Sequence, residues 1–244
     1  MRSIRVVTYN IHKCRGLDGR RRPVRIAEVL KQIDADIIAL QEVVGMDEPE
    51  REHNQVRAIA EELGLDFRIG ENRRLRGGAY GNAVLSRLPL LDDHNHDLTW
   101  QKYEPRGCLH VNVALGERTQ ALDIFNVHLG TGFFERRYQA RRLLDVVNSV
   151  QDQVPRPRLV LGDFNEWTRG LATRLLSDYF NSAEPQQRLG RARSYPGVLP
   201  LMHLDHIYYD SSLQLKSIVV HRSTLALVAS DHLPVVAEFE LGSE

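Results

Sequence analysis

The stretch Leu159-Val-Leu-Gly-Asp-Phe-Asn-Glu166 joins an apolar run directly to polar side chains, and that junction constrains the fold. Three consecutive aliphatic residues read as a short strand buried on both faces, and Gly162 interrupts it. Asp163 and Asn165 follow with one residue between them, so an extended backbone turns both side chains to one face. A carboxylate and a carboxamide then emerge together at the carboxyl end of a core strand, where open α/β sheets place ligands. The same residues also suit an ordinary turn, because Gly, Asp and Asn are common turn formers. The rest of the chain has to decide between the two.

The pattern recurs along the chain. Ile4–Tyr9 reads as a strand ending at Asn10, and Asp36–Leu40 as a buried strand ending in Gln41-Glu42. Leu65–Ile69, Asn82–Ser86, Cys108–Leu115 and Ala121–Val127 read as further strands, the last ending at His128. Three more are predicted near the end, Leu204–Tyr209, Leu213–Val220 and Val235–Leu241. Between them lie amphipathic helices. One opens at Pro23 with Val24, Ala27, Leu30 and Ile33 at helical spacing. Another spans 53–63 and stops at Gly64, a third runs from Phe134 to Gln151, and a fourth from Gly170 to Tyr179. Residues 13–22, 73–76 and 181–203 read as loops. Strands and helices mix throughout, and no linker invites a cut. The expectation is one α/β domain over residues 1–244.

Composition narrows the setting. Lys+Arg and Asp+Glu balance at 32 each, without the basic excess of a dedicated duplex binder. Two widely separated cysteines, Cys14 and Cys108, form no disulfide framework, and no stretch approaches the roughly 20 apolar residues of a membrane span. A cytoplasmic protein without a transmembrane segment is expected, and no stable protein partner is inferred.

Asn10, Glu42, His128, Asp163 with Asn165, Asp205 at the start of Ile207-Tyr-Tyr, and Asp231-His232 before the last strand form one set of polar strand ends. Each has an ordinary reading as a cap, a turn former or a half-buried imidazole. Together, carboxylates and carboxamides suit a hard cation such as Mg²⁺, and two histidines can move protons or contact phosphate.

At this point the chain resembles the endonuclease/exonuclease/phosphatase superfamily. Thr8-Tyr-Asn10, Gln41-Glu42, Gly81-Asn82-Ala-Val-Leu-Ser86, Asn126-Val-His128, Gly162-Asp-Phe-Asn165, Leu204-Asp205 and Ser230-Asp-His232 match its motifs in order, from about residue 4 to 240. The resemblance implies a four-layer α/β/β/α sandwich of two mixed β-sheets flanked by helices, with the site at one end. It also implies Mg²⁺- or Mn²⁺-dependent hydrolysis of a phosphate ester. Glu42 then looks like the principal metal ligand, with Asn10 beside it and Asp231 near the metal. Asp163 and Asn165 would hold or activate the attacking water, His232 would pair with Asp205, and His128 would contact the scissile phosphate. Asn82 and Arg106, in Pro105-Arg-Gly107, look like second-layer or phosphate-side residues. Both Asp163 and His232 fit the role of general base.

The substrate stays open among nucleic acid, lipid and small phosphodiesters. A nuclease would draw on Arg20–Arg22, Arg73, Arg74, Arg76 and Tyr80; a phospholipid would want exposed apolar loops such as Trp100, Phe133-Phe134 and Trp167. Phe164 replaces the Leu usual in the family's inositol phosphatases and sphingomyelinases, which counts against both. Two remote readings are a non-catalytic phosphate binder and a zinc enzyme using the nearby His94 and His96.

Overall fold

The computed structural model describes residues 3–46, 54–75, 77–116, 121–153, 156–166, 170–183, 193–196 and 201–241. Arg76 and Trp167, named above as possible substrate contacts, lie outside them. The chain builds the first sheet from β1 (Ser3–Asn10), β2 (Ile37–Met46), β3 (Asp66–Leu75) and β4 (Gly78–Ser86), with α1 (Pro23–Ile33) and α2 (Gln55–Leu63) between them. It then builds the second from β5 (Leu90–Asp97), β6 (Gly107–Ala114), β7 (Ala121–His128), β8 (Arg158–Asp163), β9 (Asn181–Ala183) and β10 (Asp205–Tyr209). Helices α3 (Phe133–Gln153) and α4 (Leu171–Ser177) interrupt that series. Finally β11 (Leu213–Val220), α5 (Ala226–Ala229) and β12 (Val235–Leu241) return to the first sheet.

The strand orders are β11-β12-β1-β2-β4-β3 and β5-β6-β7-β8-β10-β9. In each sheet one pair is parallel, β1 with β2 and β7 with β8, and the other pairings are antiparallel. A parallel pair needs a crossover, and α1 and α3 supply them. The two sheets therefore repeat one topology: β1-α1-β2-α2-β3-β4 corresponds to β7-α3-β8-α4-β9-β10. No repeat is visible in the residues, because pairing order is not written in side-chain identity.

The layers follow from which faces are apolar. Ile26, Val29, Leu30 and Ile33 of α1 and Val56, Ile59 and Ala60 of α2 join a core with Val7, Ile38, Val111, Ile124 and Leu161, so one continuous cluster fills the first half and the space between the sheets. A second cluster, including Phe125, Val127, Leu143, Val147, Leu176 and Tyr208, seals α3 and α4 onto the second sheet. The result is the expected α/β/β/α sandwich of two mixed sheets. Asn54 caps α2 by accepting from the Arg57 amide, and Gly64 ends it in a left-handed conformation.

Several expectations shift. Val24 is exposed rather than on the apolar face of α1. β3 continues through Arg73 and Arg74, which sequence alone placed in a loop. β5 and β9 were not expected: β5 is a sheet edge with mostly polar side chains, so it lacks an apolar signature. Among the described residues no helix is long and apolar enough to cross a membrane.

Candidate active site

The ends of the two parallel pairs meet. Asn10 closes β1 and His128 closes β7, while Glu42 belongs to β2 and Asp163 closes β8, so each half of the topological repeat contributes two side chains. Glu42 is not at a strand end. Leu40 pairs with Ala83 and Val43 with Gly81, so Gln41 and Glu42 together face Asn82 in a β-bulge, and Glu42 takes a φ of 57°. A bulge re-aims a side chain without ending the strand.

Polar groups buried between the sheets hold this end together. Asn126 donates from Nδ2 to the carbonyls of Leu40 and Ala83, both at 2.9 Å, and accepts from Gln41 Nε2 at 2.8 Å. Gln41 Nε2 also reaches Thr8 Oγ1 at 3.0 Å. These bonds link residues one or two positions from Glu42 and His128, so they fix the separation of the two across the sandwich. Asn82 donates both amide hydrogens to backbone, at 3.1 Å to Gly107 and 3.2 Å to Asn126. Both donors are engaged, so Asn82 braces β6 and β7.

At Gly162 the chain needs glycine. Its φ is 146°, and a Cβ there would stand 1.9 Å from the Val127 carbonyl oxygen. The strand stops one residue later. Asn165 has a φ of 49°, so the extended backbone that would align it with Asp163 is absent. Its amide donates at 2.9 Å to Asp163 Oδ1, and its Nδ2 donates at 2.8 Å to the Leu129 carbonyl. Phe164 is fully buried between them, against the rings of His206 and Tyr208. The Asp-Phe-Asn segment is thus an anchored turn whose carboxylate faces the site.

Asp163 is the centre. Its Oδ2 accepts from Asn10 Nδ2 at 3.0 Å and lies 3.6 Å from Nε2 of both His128 and His232. The two imidazoles differ in state. Arg106 donates from Nη1 to Nδ1 of His128 at 3.0 Å, and a guanidinium has no acceptor, so the neutral ring carries its hydrogen on Nε2. Burial and the Arg106 charge push the His128 pKa down to about 4. His232 has its Nδ1 3.0 Å from Asp205 Oδ2, an oxygen that also accepts from Ser194 Oγ at 2.5 Å. Burial works against its charge, but Asp205 and Asp163 outweigh that and carry the His232 pKa up to about 10. Burial raises the pKa of Asp163, against the pull of the two histidines.

Glu42 faces a different environment. The ammonium of Lys13 lies against its carboxylate, and Asn10 Nδ2 is 3.3 Å from Oε1. Burial opposes ionisation, yet His128, followed by Lys13 and Asn10, brings the Glu42 pKa down to about 2. Lys13 sits in a run of three left-handed residues, His12, Lys13 and Cys14, with φ of 45°, 57° and 56°. The His12 amide donates to Asn10 Oδ1 at 3.0 Å and Gln55 Nε2 to the Lys13 carbonyl at 2.7 Å, which keeps this strained turn in place. Asn10 clasps Glu42 and Asp163 through its amide nitrogen, while its Oδ1 accepts from the His12 amide and keeps a second lone pair. Asp231 stands at the mouth, 3.4 Å from His12 Nδ1, and Ser230 Oγ ties its loop to the Asn10 carbonyl at 2.9 Å.

The carboxylates and imidazole of Asp163, Asp205 and His232 place ligand atoms within 4.8 Å of one another. This group is a poor first choice for a hard dication, because all three are buried and His232 is held as a cation between the two carboxylates. The Glu42 end fits better. Its carboxylate already attracts a cation, Lys13, and its side chain is partly exposed, at 17%.

The sequence reading missed His12, Lys13, Ser194 and the bracing role of Gln41 and Asn126. None follows a hydrophobic period, and Lys13 and Ser194 lie in segments with loop composition. The zinc reading is corrected: His94 and His96 belong to β5, on the outer side of the second sheet and not at this end. Arg73 and Arg74 are both paired, with Glu104 and Glu71, and Arg73 also covers the Tyr80 ring at 4.8 Å.

Comparison with known proteins gives consistent results. The sequence profile of the Endonuclease/Exonuclease/phosphatase family matches residues 7–232. The Escherichia coli K12 protein described as "Uncharacterized protein YbhP" is 32% identical, over 98% of this chain and 97% of its own length. An endonuclease/exonuclease/phosphatase from Beutenbergia cavernae superposes with a TM-score of 0.76 at 24% identity, covering 100% of this chain and 72% of that one. A Bacteroides thetaiotaomicron mannosyl-6-phosphatase superposes with a TM-score of 0.79 at 20% identity, covering 98% of this chain and 100% of its own.

Proposed function

Because the chain belongs to the endonuclease/exonuclease/phosphatase family, whose members hydrolyse phosphoester bonds, we propose that it is a Mg²⁺- or Mn²⁺-dependent phosphodiesterase working by in-line attack of an activated water on phosphorus. In this reading residues 1–244 act as one catalytic domain in the cytoplasm, in keeping with two buried free thiols. One observation carries it: a single oxygen of Asp163 has a neutral and a charged imidazole on its two sides, each 3.6 Å away.

The division of labour follows from protonation. His232 already holds its proton at neutral pH and is a poor base, whereas burial strengthens Asp163 as a proton acceptor. Asp163 therefore takes the proton from the attacking water, and Asn165 keeps its turn in place. His232, oriented by Asp205, offers positive charge to the phosphoryl oxygens as it builds up. His128, its Nε2–H directed inward by Arg106, donates to a phosphate oxygen. Glu42 is the principal ligand of the dication, with Asp231 nearby and Asn10 orienting the carboxylates. When bound, the metal supplies neutralisation of phosphate charge.

A lipid-type phosphodiester is the second reading, favoured by an aromatic rim. Phe133 and Phe134 are 60% and 70% exposed, a few residues beyond His128, and exposed Tyr103 stacks on Trp100 with ring centroids 4.9 Å apart. Hydrolysis of bis-p-nitrophenyl phosphate, lost with chelator and restored by Mg²⁺ or Mn²⁺, tests the reaction class. Undiminished hydrolysis by folded Asp163→Ala or His232→Ala would overturn the site, and a phosphate binder without turnover would show no activity at all. A panel of DNA, RNA, phospholipids and, given the mannosyl-6-phosphatase likeness, phosphosugars resolves the substrate.

A further inference from the structure

The solvent side of α3 carries side chains that the Asp163 site does not use. Gln139, Leu143, Val146 and Val147 turn inward and are buried. Phe133, Arg137 and Arg141 follow one another at four-residue spacing, and Phe134, Tyr138 and Arg142 form a second such row. Both rows therefore lie on the opposite side of the helix, where Phe133, Phe134, Tyr138, Arg141 and Arg142 are exposed. Among the described residues none of the three arginines has an acidic partner, and the Arg137 guanidinium lies over the Phe133 ring at 5.6 Å. Glu135 is no counter-charge to them: it is buried, and its carboxylate accepts from the Gly132 amide and Gln139 Nε2. Asp145, the next acid along the helix, bounds the basic stretch.

A second aromatic pair adjoins the first. The Trp100 and Tyr103 rings stack, and a Cβ built on Gly132 would stand 3.6 Å from the Tyr103 ring, so Tyr103 borders the residue just before Phe133. Lys102, in the same turn, is exposed. The patch is thus apolar at its centre and basic at its border. Its connection to the site is short and pinned. Between His128 and Phe133, the Leu129 carbonyl accepts from Asn165 Nδ2 at 2.8 Å, the Gly130 amide donates to Gln139 Oε1 at 2.7 Å, and the Gly132 amide donates to Glu135 Oε2 at 3.3 Å. Whatever covers the patch is held a few residues from His128.

We propose that this face docks on the surface of a bilayer rich in anionic lipid, with Phe133, Phe134 and Tyr103 entering the headgroup boundary and Lys102, Arg137, Arg141 and Arg142 meeting lipid phosphates. Charge complementarity selects this occupant. An anionic leaflet has a negative surface potential that attracts clustered Lys and Arg, and exposed aromatics beside such a cluster are what a membrane-surface segment buries. The whole chain balances 32 basic against 32 acidic residues, so any attraction to a polyanionic surface is local to this patch. Single-stranded nucleic acid fits less well, because it needs open ring faces on which bases stack. Here Phe133 and Phe134 meet edge to face, with centroids 5.3 Å apart at 79°, Arg137 covers one face of Phe133, and Trp100 and Tyr103 cover each other. The proposal rests on the lipid-type reading of the Asp163 site for its purpose, whereas the docking itself needs no turnover.

The test is co-sedimentation of the full chain with vesicles of equimolar phosphatidylglycerol and phosphatidylcholine, in chelator so that nothing is hydrolysed, beside vesicles of phosphatidylcholine alone. Wild type should sediment with the anionic vesicles, stay in solution with the neutral ones, and be released as salt is raised. Arg141→Gln/Arg142→Gln, at exposed positions, should melt like wild type and bind about 25-fold more weakly, about fivefold for each basic charge lost. Phe133→Ser/Phe134→Ser should weaken binding by at least about tenfold. Brominated acyl chains should quench the emission gained in Phe134→Trp, which adhesion by charge alone would not bring about. No binding to anionic vesicles, equal binding to neutral ones, full affinity in both double variants, or an unquenched Phe134→Trp would overturn the proposal. So would tighter binding of a single-stranded oligonucleotide through the same arginines. Hydrolysis of bis-p-nitrophenyl phosphate reports on the Asp163 site separately: turnover without vesicle binding overturns the docking alone, and vesicle binding without turnover upholds the docking while overturning the reaction class.

Discussion

Arg106 donates to Nδ1 of His128 at 3.0 Å, and this one bond sets which ring nitrogen of the histidine faces Asp163. Replacing Arg106 by Gln should let the His128 pKa rise from about 4 toward its ordinary 6.5, since burial remains but the neighbouring charge is gone. Nitrogen chemical shifts of the imidazole, followed against pH, measure it. An unmoved titration would show that burial alone keeps the ring neutral.

His232 makes stability depend on alkaline pH. Its folded pKa of about 10 lies above the ordinary 6.5, so its contribution is complete below 6.5 and is lost as pH rises through 10. The melting temperature of wild type should fall between pH 7 and 10 with a component that His232→Gln lacks. Parallel Tm profiles for the two proteins would contradict the assigned charge.

Lys13 competes with any dication for Glu42. The pair is partly exposed, and such pairs contribute about 0–1 kcal/mol. Lys13→Met should therefore tighten Mg²⁺ binding by up to about fivefold in a calorimetric titration. Weaker binding would mean that Lys13 supports the metal site rather than standing in for the ion.

Asn126 should be among the most sensitive positions for folding. Truncation to Ala removes the side chain that donates to the Leu40 and Ala83 carbonyls inside the sandwich, while Gln41 Nε2 keeps Thr8 Oγ1 and the Ala39 carbonyl. Each unmet group costs about 1–3 kcal/mol, so a loss of about 3–5 kcal/mol is expected in denaturant melts. A loss under about 1 kcal/mol would mean that water replaces these bonds.

Gly162→Ala adds a Cβ at φ 146°, against the Val127 carbonyl. Such backbone strain costs about 1–3 kcal/mol before any clash is relieved. The variant should melt lower and, because Asp163 is the next residue, lose activity even at temperatures where it stays folded.

Much of this was present in the residues themselves. Leu159–Leu161 and Ile37–Leu40 could only be interior strands, and α1 and α2 follow from apolar spacing, Pro23, Asn54 and Gly64. Periodicity reports which face is buried, and motif order gave the family and the residues that meet at one end. Tertiary structure decided what depends on partners far apart in the chain. Only strand register shows that Gln41 and Glu42 share a bulge opposite Asn82, or that Asn82 spends its donors on Gly107 and Asn126. Only packing shows that Lys13 reaches Glu42, that Ser194 reaches Asp205, and that His94 and His96 meet His110 rather than the phosphate site. The physical reason is that burial pattern is local, whereas protonation, tautomer and hydrogen-bond donation are fixed by the neighbours each group finally meets.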